Sequence, residues 1–321
     1  MHGTHVMTRR EAMVAGAASL GVAALESLAG GQPADAPWID AHSHVWPADT
    51  DRFPLRAGRS RKDLDPPSFT DEELMAVAGP EGVGRVVLIQ HSGYHLFDNS
   101  YILDVIRRHP QQFRGVAMVD DSQAEPGASM KRLLPQGVTG FRITPFLRKE
   151  QPEQWLATPG MHAMWTTAAE TRQVLCCLIN PQDLPGLDAM CEKHPETPVA
   201  IDHFARIGAD GSIRQQDLDN LCRLARHPQV TVKVSAFYAL GKKQPPYRDL
   251  VPMIQRLFEV YGRERLMWGS DSPYQLRGVN TYAASVRLVR DHLDFASPQD
   301  RQWLLRKTAE RLFFGFQGND R

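Results

Sequence analysis

Cysteine is scarce in this chain. Four occur in 321 residues, at 176, 177, 191 and 222, with no C-x-x-C pair among them. That pattern excludes a disulfide scaffold or a zinc ribbon and reads as buried thiols. Net charge is also missing: 37 Lys+Arg balance 37 Asp+Glu, and the sequence pI is about 7.2. Without a basic excess or a basic stripe, no nucleic-acid partner is expected. No G-x-G-x-x-G or Walker A motif follows any apolar run, which removes the commonest dinucleotide and phosphate sites. The one extended run of small and apolar residues lies near the N-terminus. It is too short and too poor in large side chains for stable membrane insertion.

That run is flanked as a targeting signal would be. Thr8-Arg9-Arg10-Glu11-Ala12-Met13 precedes an Ala/Gly/Val/Leu-rich stretch to about Leu28, and Ala34-Asp35-Ala36 follows. A twin arginine before an apolar region resembles a Tat export signal. Residues 1–36 are therefore expected to be a leader that engages the Tat machinery and sends the protein to the periplasm or another extracytoplasmic space. Residues 37–321 remain as the folded domain.

What the chain does have is alternation. Short apolar runs at 38–45, 85–91, 113–119, 138–144, 174–180, 198–203, 229–235 and 265–271 alternate with segments of helical periodicity. Thr70-x-x-Glu73 and Ser122-x-x-Glu125 have the form of capping boxes. Eight strand–helix units in about 285 residues predict an α/β fold, a (β/α)8 TIM barrel. Strand side chains alternate between faces. In 230–235 the valines face the helices, so Lys233 points into the barrel. By the same rule Arg142 points inward, and Asp40, His42 and His44 share one inward face. The long loop 46–69 follows the first strand on the side where barrel active sites form, and it is a candidate lid.

Of twelve histidines, His109, His194 and His227 each precede a proline at the end of a helical segment and read as helix stops. His95 and His162 read as exposed. His42, His44, His91 and His203 end predicted strands, as does Asp271 in Met267-Trp268-Gly269-Ser270-Asp271-Ser272-Pro273. First and eighth strands are neighbours in a closed barrel. His42, His44 and Asp271 then converge as three ligands suited to a divalent metal, with positions left open for water. His203 joins Asp271 as a candidate catalytic residue. Arg142 and Lys233 are the candidate anion readers, Arg142 through its fixed fork. Gln90 or His91, whichever faces inward, is a candidate substrate contact, and Trp46 and Tyr238 are candidate pocket walls. Arg206 and Arg59 are weaker candidates for anion binding, with solvated loop charges as the plainer reading.

These residues resemble the amidohydrolase superfamily, in its amidohydrolase-2 branch. The resemblance is carried by Ile39-Asp40-Ala41-His42-Ser43-His44, Gly140-Phe141-Arg142, Ile201-Asp202-His203-Phe204-Ala205 and Met267 to Pro273. Within the branch the sequence looks most like the sugar-lactonase and 2-pyrone-4,6-dicarboxylate lactonase group. The resemblance implies a hydrolase that opens a lactone of a small molecule, a sugar-acid or carboxylated one. It implies an Arg ending strand four that reads a substrate carboxylate or polar group, and one divalent ion, zinc first. Some lactonases of this group work without metal. Strand five, Val174-Leu175-Cys176-Cys177, has neither the His nor the Lys that two-metal members carry. The alternatives are a metal-dependent decarboxylase and an exported barrel that binds without turnover.

Overall fold

Runs of Val, Ile, Leu and Phe at alternate positions become the eight strands of one parallel sheet. They are β1 (Trp38–Ser43), β2 (Val83–Ile89), β3 (Phe113–Ala117), β4 (Val138–Ile143), β5 (Val174–Cys177), β6 (Val199–Ile201), β7 (Val230–Ser235) and β8 (Leu266–Gly269). Each pairs with the next in chain order. The computed structural model describes residues 37–147 and 152–315. The expected leader, residues 1–36, lies outside them. Seven helices make the crossovers: α1 (Asp71–Ala78), α2 (Ser100–Arg108), α3 (Pro126–Leu133), α4 (Pro159–Thr171), α5 (Leu184–Lys193), α6 (Gln215–Arg223) and α7 (Val251–Tyr261). After β8 come α8 (Tyr282–Asp291) and the short α9 (Pro298–Gln302). The fold is a (β/α)8 barrel.

Local chemistry sets the helix ends. Thr70 caps α1 through a reciprocal box with Glu73. The box expected at Ser122 does not form, because Ser122 bonds instead to the nearer carboxylate of Asp120. α3 starts at Pro126, whose fixed φ suits a first helical position.

The barrel closes where β1 meets β8. Asp271 N–H donates to His42 O at 2.7 Å, and His44 N–H donates to Ser272 O at 2.8 Å. Gly269 permits this approach: a Cβ there would lie 2.7 Å from His42 Cβ. On the outer side of the seam Asp40 accepts from Ser270 N–H and Oγ–H, Ser43 Oγ–H, Tyr282 O–H and His42 N–H, at 2.6 to 3.0 Å.

This corrects one expectation. Asp40 does not share the inward face with His42 and His44. Ile39 and Ala41 point inward, and an irregular register between Asp40 and Ser43 sets three residue steps of β1 against two of β2. The extra residue flips the phase of the alternation, as a β-bulge does, so Ala41 and His42 both face inward. Elsewhere alternation holds. Val230, Val232 and Val234 pack with the helices, and Lys233 faces the axis above Phe313, with Nζ 5.6 Å from the ring centroid. The lower interior is an apolar plug of Ile39, Ala41, Val87, Ile89, Val116, Val174, Cys176, Ala200 and Met267, floored by Phe313 and Phe314.

Candidate active site

Above that plug the interior turns polar, at the C-terminal ends of the strands. His44 Nδ1 lies 2.8 Å from the carbonyl of Ile89, which can only accept, so Nδ1 carries the proton and Nε2 faces the centre. His42 Nε2 lies 2.8 Å from Arg142 Nη2, which can only donate, so here too Nε2 offers its lone pair. Its Nδ1 lies 3.5 Å from Asp202 Oδ1 and 3.4 Å from Lys233 Nζ. Asp271 Oδ1 lies 3.5 Å from His42 Nε2 and 3.3 Å from His44 Nε2. Asp271 Oδ2 accepts from Tyr238 O–H at 2.7 Å and lies 3.7 Å from His203 Nε2. One carboxylate oxygen therefore faces two imidazoles, and the other faces a phenol and a third imidazole.

Beneath this centre lies an ionic layer. Asp202, wholly buried, meets Lys233 Nζ at 3.0 Å through Oδ1 and Arg142 Nη2 at 3.2 Å through Oδ2. Burial alone would raise the Asp202 carboxyl, but Lys233, His42 and Arg142 hold it well below the usual carboxylate range. Burial would likewise lower Lys233, yet Asp202 keeps it charged. Burial pushes His42 well below the usual imidazole range, with Lys233 reinforcing the effect, so His42 is neutral. Burial also lowers His203. For Asp271 burial is again the largest influence, and the facing imidazoles, His203 first, outweigh it and hold the carboxyl below its ordinary value.

Two strained stretches aim these groups. His203, Phe204, Ala205 and Arg206 form a left-handed turn, with φ of 54°, 54°, 53° and 59°, and none is glycine. Such a conformation costs about 1–2 kcal/mol per residue. Phe204 and Ala205, both buried, anchor the turn, which sends His203 inward and Arg206 to the rim. Asp271 itself has φ of 61°. The mouth is a cleft of about 520 Å3 lined by His44, His91, Arg142, His203, Arg206, Tyr238, Lys243, Asp271 and Tyr274, with Leu178, Leu240 and three alanines. Ser92 completes it.

Several expected site residues lie elsewhere. Lys233 is not an anion reader: it is wholly buried below the centre, paired with Asp202 and 3.5 Å from Cys176 Sγ. Of Gln90 and His91, His91 faces the cleft. Gln90 turns away and donates to the carbonyls of Leu96 and Asp98, pinning that loop. Trp46 is not a pocket wall. It stands behind His91, ring centroids 5.1 Å apart, and donates to Pro66 O at 2.9 Å. His95, expected to be exposed, is buried against the carbonyl of Pro54. Tyr238 lines the cleft as expected. Residues without an expected role include Asp202, Tyr274 and Lys243, and Arg206 lines the cleft rather than standing free in solvent. His91 Nδ1 accepts from Tyr94 N–H, so its Nε2–H donates to the Tyr274 hydroxyl and leaves that O–H to point elsewhere.

The family model described as "Amidohydrolase" matches residues 39–315. The chain belongs to the amidohydrolase family. This amidohydrolase is 26% identical over 284 residues to a 4-sulfomuconolactone hydrolase of Hydrogenophaga intermedia, covering 85% of this chain and 88% of that one. It is 26% identical over 239 residues to an L-fucono-1,5-lactonase of Burkholderia ambifaria, covering 73% of this chain and 80% of that one. An amidohydrolase of Burkholderia multivorans shares the fold with a TM-score of 0.73 at 18% identity, over 87% of this chain and 99% of that one.

The donor set of this amidohydrolase fits a divalent ion. Two imidazole lone pairs and a carboxylate oxygen face one point, three acceptors that repel unless a cation joins them. Bonds of about 2.0–2.1 Å in a tetrahedral zinc site separate ligand atoms by about 3.4 Å. The observed separations from Asp271 Oδ1 are 3.5 and 3.3 Å. Asp202 behind His42 and the Ile89 carbonyl behind His44 are outer partners of the kind that fix a ligating imidazole.

Proposed function

We propose that this amidohydrolase opens an anionic, hydroxyl-poor lactone by attack of water on the ring ester. The carrying observation is Asp271, ionised at the mouth and ringed by three imidazoles and Tyr238. Asp271 takes a proton from water as the new C–O bond forms. The carbonyl oxygen becomes an oxyanion, which His203 is placed to meet. The ring C–O bond then breaks, and the proton on Asp271 passes to the departing ring oxygen. Tyr238 donates to Oδ2 and fixes the orientation of the Asp271 carboxylate. A zinc ion held by His42, His44 and Asp271 would polarise the carbonyl and acidify the water.

The cleft favours substrates that present acceptors. Arg142, Arg206 and Lys243 line it, whereas Asp271 is its one carboxylate and no Asn or Gln faces it among the described residues. A polyhydroxylated sugar lactone would find few acceptors for its hydroxyls; a carboxylated ring would find the cations Arg206 and Lys243. The relatives that act on lactones support the ester class. Decarboxylation is disfavoured by β5, which turns Val174 and Cys176 towards the axis and no His or Lys.

A pH-indicator assay across aldonolactones and carboxylated pyrone or muconolactone rings, with and without chelator, tests the reading. Turnover of the carboxylated rings is expected. Turnover of neutral sugar lactones alone would overturn the substrate class, and no turnover of any lactone would overturn the reaction. We further propose export through the twin arginine of the leader. Changing Arg9 and Arg10 to lysine should retain the protein in the cytoplasm, and unchanged export would refute it.

A further inference from the structure

Arg142 ends β4 where a substrate reader is expected, yet its contacts are with the centre itself. Its Nη2 lies 2.8 Å from His42 Nε2, on the lone pair that would ligate a metal, and 3.2 Å from Asp202. Arg142 is buried, and its Nε is buried without an acceptor. A guanidinium cannot give up its proton to make room. The buried ionic side chains already balance: Arg142 and Lys233 against Asp202 and Asp271. A divalent ion added to this arrangement brings two uncompensated charges.

We propose that the Arg142 guanidinium and a divalent cation compete for the His42 Nε2 lone pair, so that Arg142 holds down the metal affinity of the centre. The protein carries its own cation at the place of the ion. Metal loading displaces the fork from His42 and frees it for a substrate carboxylate. Removing Arg142 does two things in the same direction: it uncovers the lone pair and leaves one negative charge unbalanced. The inference rests on the fit of the donor set to an ion and not on the lactone assignment.

The test is a zinc titration of the full chain in competition with a chromogenic chelator, with no substrate present. Arg142→Met is expected to bind zinc about tenfold or more tightly than the parent, a change of the size that partners of metal ligands produce. Adding His44→Asn to it is expected to abolish that gain. Equal or weaker binding by Arg142→Met, or a gain that survives His44→Asn, overturns the proposal. Should Arg142→Met fail to fold, the parent protein decides by 15N NMR of its arginine side chains. The Arg142 signals should shift on adding zinc, and unmoved signals with zinc bound at His44 would overturn it. Lactone turnover enters none of these readouts, so failure here is distinct from failure of the assay above.

Discussion

Two buried carboxylates flank the seam between β1 and β8, and they have opposite chemistry. Asp40, on the outer side, is surrounded by neutral donors: two backbone N–H groups, two serines and Tyr282. Burial dominates there and raises its carboxyl above the ordinary value, with the hydrogen bonds pulling the other way. Asp271, on the inner side, is also buried, but its neighbours are imidazoles, and it is held below the ordinary range. Burial alone therefore does not mark a working carboxylate. Partner chemistry does: hydroxyls and amides make a clamp, and ionisable rings make a base.

The comparison breaks most visibly by substitution. Asp271→Asn should lower kcat/KM by about 1,000-fold or more, the range for losing a positioned general base. Steady-state kinetics on whichever lactone is turned over will show it. Asp40→Ala should instead lower stability by about 3 kcal/mol or more, because five donors lose one acceptor and unsatisfied buried groups cost about 1–3 kcal/mol each. Urea unfolding measures this, and the folded fraction should keep most of its turnover. If Asp40→Ala loses activity without losing stability, the clamp and the base are not separable.

Smaller changes sharpen the contrast. Tyr238→Phe removes the donor on Asp271 Oδ2 and should cut kcat about tenfold while shifting stability by less than about 1 kcal/mol. Tyr282→Phe removes the matching phenol from Asp40 and should do the reverse, costing about 1 kcal/mol with kcat unchanged.

The smallest effect is in pH dependence, and its sign differs between the two sites. The depressed Asp271 contributes stability that is present above 3.8 and is lost as pH falls through its folded value. The raised Asp40 contributes stability that is complete below 3.8 and is lost as pH rises through its folded value. From about pH 3 to about pH 6, the stability gap between parent and Asp271→Asn should widen. The gap between parent and Asp40→Asn should narrow. Unfolding curves at several pH values would show both, and gaps that move together would refute the assignment.

The eight strands were legible because alternation in a barrel is strict wherever helices cover the outer face. Val230, Val232 and Val234 are the clearest case, and they correctly turned Lys233 inward. Alternation gives the face of a strand but not the height along the barrel axis. Lys233 was therefore expected in the cleft, although it lies a layer below. Asp40 departs from its expected face for another reason. Nothing in Ile39-Asp40-Ala41-His42 announces the bulge that reverses the phase after Ala41, since the bulge lies in the pairing with β2 and Asp40 finds its donors on β8, more than 220 residues away. Asp202 was visible beside His203, but its role depends on Lys233 and Arg142 from other strands. The left-handed turn at 203–206 was illegible because it contains no glycine, and burial of Phe204 and Ala205 holds it against local preference.

The seam has a further consequence in time. His42 and His44 emerge early in synthesis, whereas Asp271, Ser270 and Tyr282 emerge more than 225 residues later. The floor under them, Phe313 and Phe314, comes later still. Pairings this distant form late in folding. The centre is therefore assembled by the same closure that completes the barrel, and a chain cut short before β8 carries the histidines without the base.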